Sequence, residues 1–304
     1  MSLLIEQILN GVQLGVALFL LAAGLTLIFG IMGVINLAHG SLYMIGAFAM
    51  AWASARTGSF WLGVPFGLAA AALTGVLMEV LIVRRLYARD HLDQVLVTYG
   101  LILFFNQMAT IIFGRQPLFL APPAELSGFV TVLPGMQYPV YRLVIILAGL
   151  FVAIGLYLLI ARTRIGMLVR AGATHREMVR ALGVDIKLLY TFVFALGALL
   201  AGFAGIMAGP LYGVTAGMGE QILILTFVVV VIGGVGSIRG AFYGALLVGI
   251  VDTMLRAFMP GLLRHFMAGQ EADAMGGGIG SMGVYLLMAL VLAIKPKGLF
   301  PAHG

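Results

Sequence analysis

No cysteine occurs among the 304 residues, so disulfides and thiolate metal sites are excluded and the redox compartment cannot be read from thiol usage. Charge is scarce as well: Asp, Glu, Lys and Arg make up 9% of the chain, against about 25% in an average soluble domain. No G-x-x-x-x-G-K-[ST] phosphate loop is present, so the chain is not itself an ATPase. Neither a nucleophile elbow nor a His/Asp/Glu set with metal-ligand spacing appears, so no catalytic and no metal site is expected. What fills the chain instead is apolar side chain, at 62% of all positions. The net charge of +6 would point to nucleic acid in a soluble protein. Here the basic excess is better read as membrane topology, with no nucleic-acid partner.

A run of about 20 apolar residues spans a bilayer. Runs bounded by charge or turn residues fall at 8–32, 42–56, 60–83, 95–113, 141–161, 190–209, 220–236, 240–258 and 281–294. The expected fold is an all-α integral membrane protein of eight or nine transmembrane helices, a single domain over 1–304. The short runs at 42–56 and 220–236 are the least secure as simple spans and are expected to tilt, break or re-enter. The first run is too long for a signal-peptide core, and residues 1–7 carry no Lys or Arg, which predicts an uncleaved first helix. Alternating the spans puts 12 of the 17 basic residues on one side. By the positive-inside rule that side is cytoplasmic, with the N-terminus outside and the C-terminus inside.

Two external segments stand out. Residues 114–140 carry Pro117, Pro122, Pro123, Pro134 and Pro139, which rules out a continuous helix; Phe129 to Leu133 reads as a short strand or an amphipathic turn. Residues 259–280 hold Gly276, Gly277, Gly278 and Gly280 and read as a flexible linker. A faint internal echo pairs Val34–Phe48 (VINLAHGSLYMIGAF) with Val230–Leu246 (VVIGGVGSIRGAFYGAL). In each, a Gly-rich polar break precedes a small-residue helix containing Gly-Ala-Phe. Duplication and convergence on close helix packing both account for it.

The longest cytoplasmic loop, 162–190, is patterned rather than plain: RTRIGMLVRAGATHREMVRALGVDIKLLY. Thr174, His175, Arg176 and Glu177 fit a capping box, in which hydroxyl and carboxylate each satisfy an orphan amide. Gly183 stands where a left-handed C-cap belongs. Between them lies a two-turn helix with Met178, Val179 and Leu182 on one face and Ala181 beside them, flanked by Arg176 and Arg180. Two turns are marginal alone, so that face is expected to dock, either on the protein's own base and the headgroups or on a partner.

Glu177, Ala181 and Gly183 in this spacing resemble the EAA-type coupling loop of ABC importer permeases. The chain as a whole is similar to the LivH/LivM branch, the permeases for branched-chain amino acids. The resemblance is carried by GLTLIFGIMGVINLAHGSLYMIGAF (24–48), HLDQVLVTYGLIL (91–103), RAGATHREMVRALGV (170–184), LGALLAGFAGIMAGP (196–210) and GGVGSIRGAFYGA (233–245). These stretches run in order along nearly the whole chain, and the short N-terminus favours the LivH type. The resemblance implies that Thr174, His175, Arg176, Glu177, Met178, Ala181, Leu182 and Gly183 form the coupling element, seated in a groove of a cytoplasmic ATPase subunit. It departs from the family at Met178 and Val179, where alanines are usual, in lacking the Leu-Pro ending, and at Ser41, where relatives often carry an acidic residue.

A second constellation is Asn36-Leu37-Ala38-His39-Gly40-Ser41, after Gly30 and Gly33. Polar groups at membrane depth are tolerated where they face protein or a water-filled cavity. The motif is therefore either a broken helix lining the substrate route or a set of caps tying two helices together. The predicted topology puts it nearer the cytoplasmic side than the midplane. Asn36, His39, Ser41, Tyr43, Thr98 and Asn106 are the candidate substrate-pathway residues, although Thr98, Tyr99, Asn106 and Gln107 along one span equally serve helix packing. Asp252 and Arg256 at i, i+4 are expected to neutralise each other, Glu79 lies about one turn from Arg84 at an interface, and Glu220 and Gln221 open a segment near the outer face, where Glu220 suits a helix N-terminus.

Three function classes compete: an ABC importer permease, a self-sufficient secondary transporter or channel, and a structural subunit. Coupled carriers need ionisable groups deep in the bundle, and this chain has few. The resemblance decides for a non-catalytic ABC permease in a bacterial inner membrane, moving branched-chain or other small neutral amino acids, with urea, short amides and aromatic acids as the alternative cargo. It implies three kinds of partner: a second permease subunit (a LivM-like paralogue or a second copy), two cytoplasmic ATPase subunits, and an external substrate-binding protein. No cofactor is expected in this chain, ATP and Mg being bound by the ATPase partners.

Overall fold

A computed structural model describes residues 2–174 and 176–300, without the side chains of Arg176 and Glu177. The helices are α1 (Ser2–Met32), α2 (His39–Thr57), α3 (Phe60–Leu81), α4 (His91–Phe113), α5 (Val140–Arg162), α6 (Arg164–Thr174), α7 (Arg176–Ala181), α8 (Ile186–Tyr212), α9 (Met218–Gly233), α10 (Ile238–Leu263) and α11 (Gly269–Ile294). Among the described residues, 7 helices are long and apolar enough to cross a membrane: α1, α3, α4, α5, α8, α10 and α11. The two that fall short, α2 and α9, match the short predicted runs at 42–56 and 220–236.

The contacts divide the chain into two compact units, and α1, α5 and α9 each pass from one to the other part-way along. One comprises residues 23–123 and 150–224. Its centre is α2 packed on α3 and α8 through glycines. A Cβ on Gly46 would lie 2.7 Å from Gly202 Cα, one on Gly67 would lie 2.7 Å from Gly46 O, and one on Gly205 would lie 2.0 Å from Tyr43 O. Lipid supplies no hydrophobic drive between helices, so small residues that admit close backbone approach hold them together. Gly202 and Gly205 are both buried on α8.

The other unit comprises residues 1–22, 124–149 and 225–304. Strands β1 (Phe129–Leu133) and β2 (Met136–Pro139) pair antiparallel in it, so the strand reading of 129–133 holds. Asn10 Oδ1 of α1 accepts from Tyr138 Oη at 3.1 Å and Arg142 Nη1 at 2.5 Å, pinning this hairpin to α1.

The linker reading of 259–280 is corrected. This stretch is the end of α10 and the first half of α11, and the last helix begins at Gly269 rather than near 281. Ala272, Gly276, Gly280 and Val284 form its buried face at every fourth residue. A Cβ at Gly276 would lie 2.7 Å from Pro260 Cα, and one at Gly280 would lie 3.2 Å from Arg256 Cα. Each glycine costs a helix about 1 kcal/mol relative to alanine. Here they line the contact between α10 and α11, which composition alone reads as flexibility.

Candidate transport site and coupling loop

Gly33, at φ +67, ends α1 in the left-handed region that glycine adopts without strain. The next five residues leave their amides outside any helix, and α4 takes two of them. Gln94 Oε1 accepts from Ile35 N at 3.1 Å, and Thr98 Oγ1 accepts from Leu37 N at 3.2 Å. Gln94 and Thr98 stand four apart on one face of α4. The Gln94 amide in turn donates to Leu86 O at 3.2 Å and Arg89 O at 3.1 Å, and the Thr98 hydroxyl donates to Gln94 O at 2.7 Å. Asn36 Oδ1 accepts from Ala38 N at 3.0 Å, a side-chain turn that leads into α2. Asn36 and Thr98 therefore tie the break, as the second of the two predicted readings has it. Gln94 was not singled out in the sequence; its spacing from Thr98, opposite a Gly-rich break, is the signal that identifies it.

The break turns inward along α1 and α8. Near the end of α1, Tyr190 Oη of α8 donates to Ile31 O at 3.4 Å. Seven residues away along each helix, a Cβ on Gly24 would lie 2.8 Å from Gly197 O and 2.9 Å from His39 Nε2. At 1.5 Å per residue, His39 sits about 10 Å along the bundle from the Ile31–Tyr190 level. The segment 33–38 folds back, and α2 starts part-way along α1 and α8 rather than level with the end of α1 and the start of α8. An unbroken helix count cannot anticipate a chain that turns back on itself.

α9 begins at the same level. A Cβ on Gly40 would lie 2.1 Å from Gly219 O, and one on Gly219 would lie 2.0 Å from Gly40 O. Residues before it are drawn in from the end of α8, with Val214 and Leu118 exchanging backbone hydrogen bonds at 2.9 Å. α2 and α9 are thus both partial helices whose N-termini meet inside this unit.

Five of the six pathway candidates gather here. Asn36, His39, Ser41, Tyr43 and Thr98 are all buried around the start of α2. Asn106 does not join them: it lies eight residues further along α4, half-buried, with its Nδ2 3.5 Å from Glu220 Oε2. Glu220 is exposed in the first turn of α9. The gain from a carboxylate at a helix N-terminus is about 0.3–1 kcal/mol, while an acidic side chain facing lipid at mid-bilayer costs about 2.5–3.5 kcal/mol. The helix pole alone does not offset that cost.

Asp252 and Glu79, two carboxylates of the long helices, are each paired with an arginine. Arg256 Nε donates to both Asp252 oxygens at 2.9 Å, as its spacing predicts. Glu79, near the end of α3, is fully buried against protein. It accepts from Arg84 Nε at 3.1 Å, Arg84 Nη2 at 2.9 Å, Tyr87 Oη at 2.5 Å and Thr191 Oγ1 at 2.7 Å. The hydrogen bond to Glu79 raises the pKa of Arg84. Burial, and then its bond to Glu79, holds the Tyr87 phenol well above its ordinary value.

In the loop between α5 and α8, Asp185 caps α8, its Oδ1 accepting from Lys187 N at 2.9 Å and Leu188 N at 3.3 Å. The capping-box reading changes. Thr174 is the last residue of α6, and its hydroxyl donates to Arg170 O at 3.1 Å. α7 opens at Arg176; His175 and the side chains of Arg176 and Glu177, which the capping box also needs, lie outside the described residues. Gly183 is left-handed at φ +84, as predicted, with Gly183 N donating to Arg180 O at 3.0 Å and Val184 N to Val179 O at 3.4 Å. The predicted single apolar face is divided: Val179 is 5% exposed and turned inward, whereas Met178 at 61% and Leu182 at 78% stand outward with the exposed Ala181. Six residues hold too few turns for one wide face.

Two partial helices thus meet inside a many-helix apolar chain, and a short helix stands out from the loop between α5 and α8. Residues 7–272 match the family described as branched-chain amino acid transport system / permease component, and the chain belongs to that family. It is 29% identical to the high-affinity branched-chain amino acid transport system permease protein BraD of Pseudomonas aeruginosa, over 97% of this chain and 95% of that one. It is 27% identical to LivH of Escherichia coli K12, over 97% of this chain and 94% of that protein. Against LivM of the same organism the identity is 26%, over 93% of this chain and 67% of LivM. No solved structure matches it.

Proposed function

We propose that this chain is the membrane-spanning subunit of an ATP-driven importer for branched-chain or other small neutral amino acids, delivered by an external binding protein. It pairs with a second permease subunit, either a LivM-like paralogue or a second copy, and two cytoplasmic ATPase subunits drive it. The reading puts the chain in a bacterial inner membrane with its N-terminus outside and its C-terminus in the cytoplasm. Family membership supports the importer class, and the substrate class comes from the named functions of BraD and LivH. The observation that carries the mechanism is α7: Val179 anchors it while Met178 and Leu182 stand exposed. Two outward apolar side chains on a short capped helix suit insertion in a groove.

Force reaches the spans through α8, which follows α7 directly. Its first turns are fixed by the Asp185 cap and by Thr191, which hydrogen-bonds Glu79 of α3. A tilt of α7 is thereby passed to α3 and α8 together.

Leu182→Glu at matched expression tests this reading. The expected result is normal membrane insertion, loss of the copurifying ATPase, and uptake of radiolabelled leucine reduced at least about tenfold, a factor worth 1.4 kcal/mol of docking. Full ATPase recovery with full uptake would remove α7 from the coupling role.

A further inference from the structure

Glu220 is an ionisable group at the depth where α2 and α9 meet, one residue from the Gly40–Gly219 contact. It is exposed, whereas Glu79 and Asp252 each carry an arginine. Among the described residues its hydrogen-bond contact is the amide of Asn106, at 3.5 Å. A carboxylate held within a span faces either a countercharge or water. Exposed Gln221 and Tyr212 flank it in the sequence of the same unit.

We propose that Glu220, oriented by Asn106, lines the hydrated passage and is the site that receives the ammonium group of a zwitterionic substrate. This rests on the transport reading above and adds to it a specificity-determining residue. An ammonium offers three donors and no acceptor, and a carboxylate offers acceptors alone. The amide nitrogen of Asn106 holds one oxygen and leaves the other for the cargo. A neutral amide brings no opposite charge to the carboxylate, so the site favours amino acids over amides.

The absence of native cysteine makes the test direct. Single cysteines replace Glu220, Asn106 and, as an apolar control on α5, Phe151, which is 77% exposed. Each assembled complex in membranes is treated with a trimethylammonium-bearing and a sulfonate-bearing methanethiosulfonate. Glu220→Cys and Asn106→Cys should react, and Phe151→Cys should not. In Asn106→Cys the preference for the cationic reagent should fall about tenfold when Glu220→Gln is added, since a carboxylate in a low-dielectric cleft concentrates cations by at least that factor. In uptake, Glu220→Asp should retain most leucine transport and Glu220→Gln should lose most of it.

Glu220→Cys and Asn106→Cys no more reactive than Phe151→Cys would put the pair against lipid or a partner's countercharge and overturn the proposal. A reagent preference unchanged by Glu220→Gln would overturn it as well. Labelling is read on this chain whether or not an ATPase copurifies, so failure of the coupling mechanism and failure of this site give different results.

Discussion

Two breaks interrupt the helices of this protein, at 33–38 and at 234–237, and they are held shut by opposite means. The first is fastened by side chains: Gln94 and Thr98 take the amides of Ile35 and Leu37, and Asn36 takes that of Ala38. The second is fastened by backbone. Leu299 N donates to Ile232 O at 2.8 Å and Phe300 N to Gly233 O at 2.9 Å, laying the segment after α11 across the end of α9. Ser237 contributes one side-chain bond, accepting from Gly240 N at 3.1 Å. The two stretches that echo each other in sequence are thus alike in glycine content and unlike in what secures them. A side-chain clamp is sensitive to what residue stands there, and a backbone clasp is sensitive to the room left for it.

That difference sets an order of damage. Gln94→Leu should do the most, because it strands Ile35 N, Leu86 O and Arg89 O together, at about 1–3 kcal/mol for each buried backbone group left unpaired. Thermal unfolding of the purified protein in detergent should show the largest drop here, and a drop no greater than that of the other variants would mean that water replaces the glutamine. Gly298→Val comes next. Its Cβ would fall 2.6 Å from Gly234 Cα, an overpacking of about 1–3 kcal/mol. The same melting measurement applies, and an unchanged midpoint would show the clasp to be dispensable. Ser237→Ala is the mildest, losing one helix cap worth about 1 kcal/mol. If it outranked Gly298→Val, the second break would be a side-chain clamp after all.

The sequence made the first of these regions more legible than the second. Asn36, His39 and Thr98 stand out as polar groups in apolar runs, and all three are buried where α1 gives way to α2. Gln94 escaped because it sits close to the charged His91–Asp93 stretch, where a polar residue needs no explanation. The depth of α2 was illegible for a different reason: composition gives the length of a run but not the direction in which the chain leaves it. The same limit hid α11, whose Gly276 and Gly280 read as flexibility until the close approach of α10 is known. The division of α7 into the inward Val179 and outward Met178 and Leu182 turns on a helix length of 6 residues, and the sequence reading allowed two full turns.

The backbone clasp on α9 has a consequence in time rather than in energy. Ile232 and Gly233 leave the ribosome more than 60 residues before Leu299 and Phe300, which lie beyond both α10 and α11. The two carbonyls at the end of α9 therefore wait, already synthesised, while two further helices are made and inserted. Synthesis of α10 and α11 must precede the closing of that break. The clasp then acts as an end-of-assembly seal, one that forms only after the last helix has found its place.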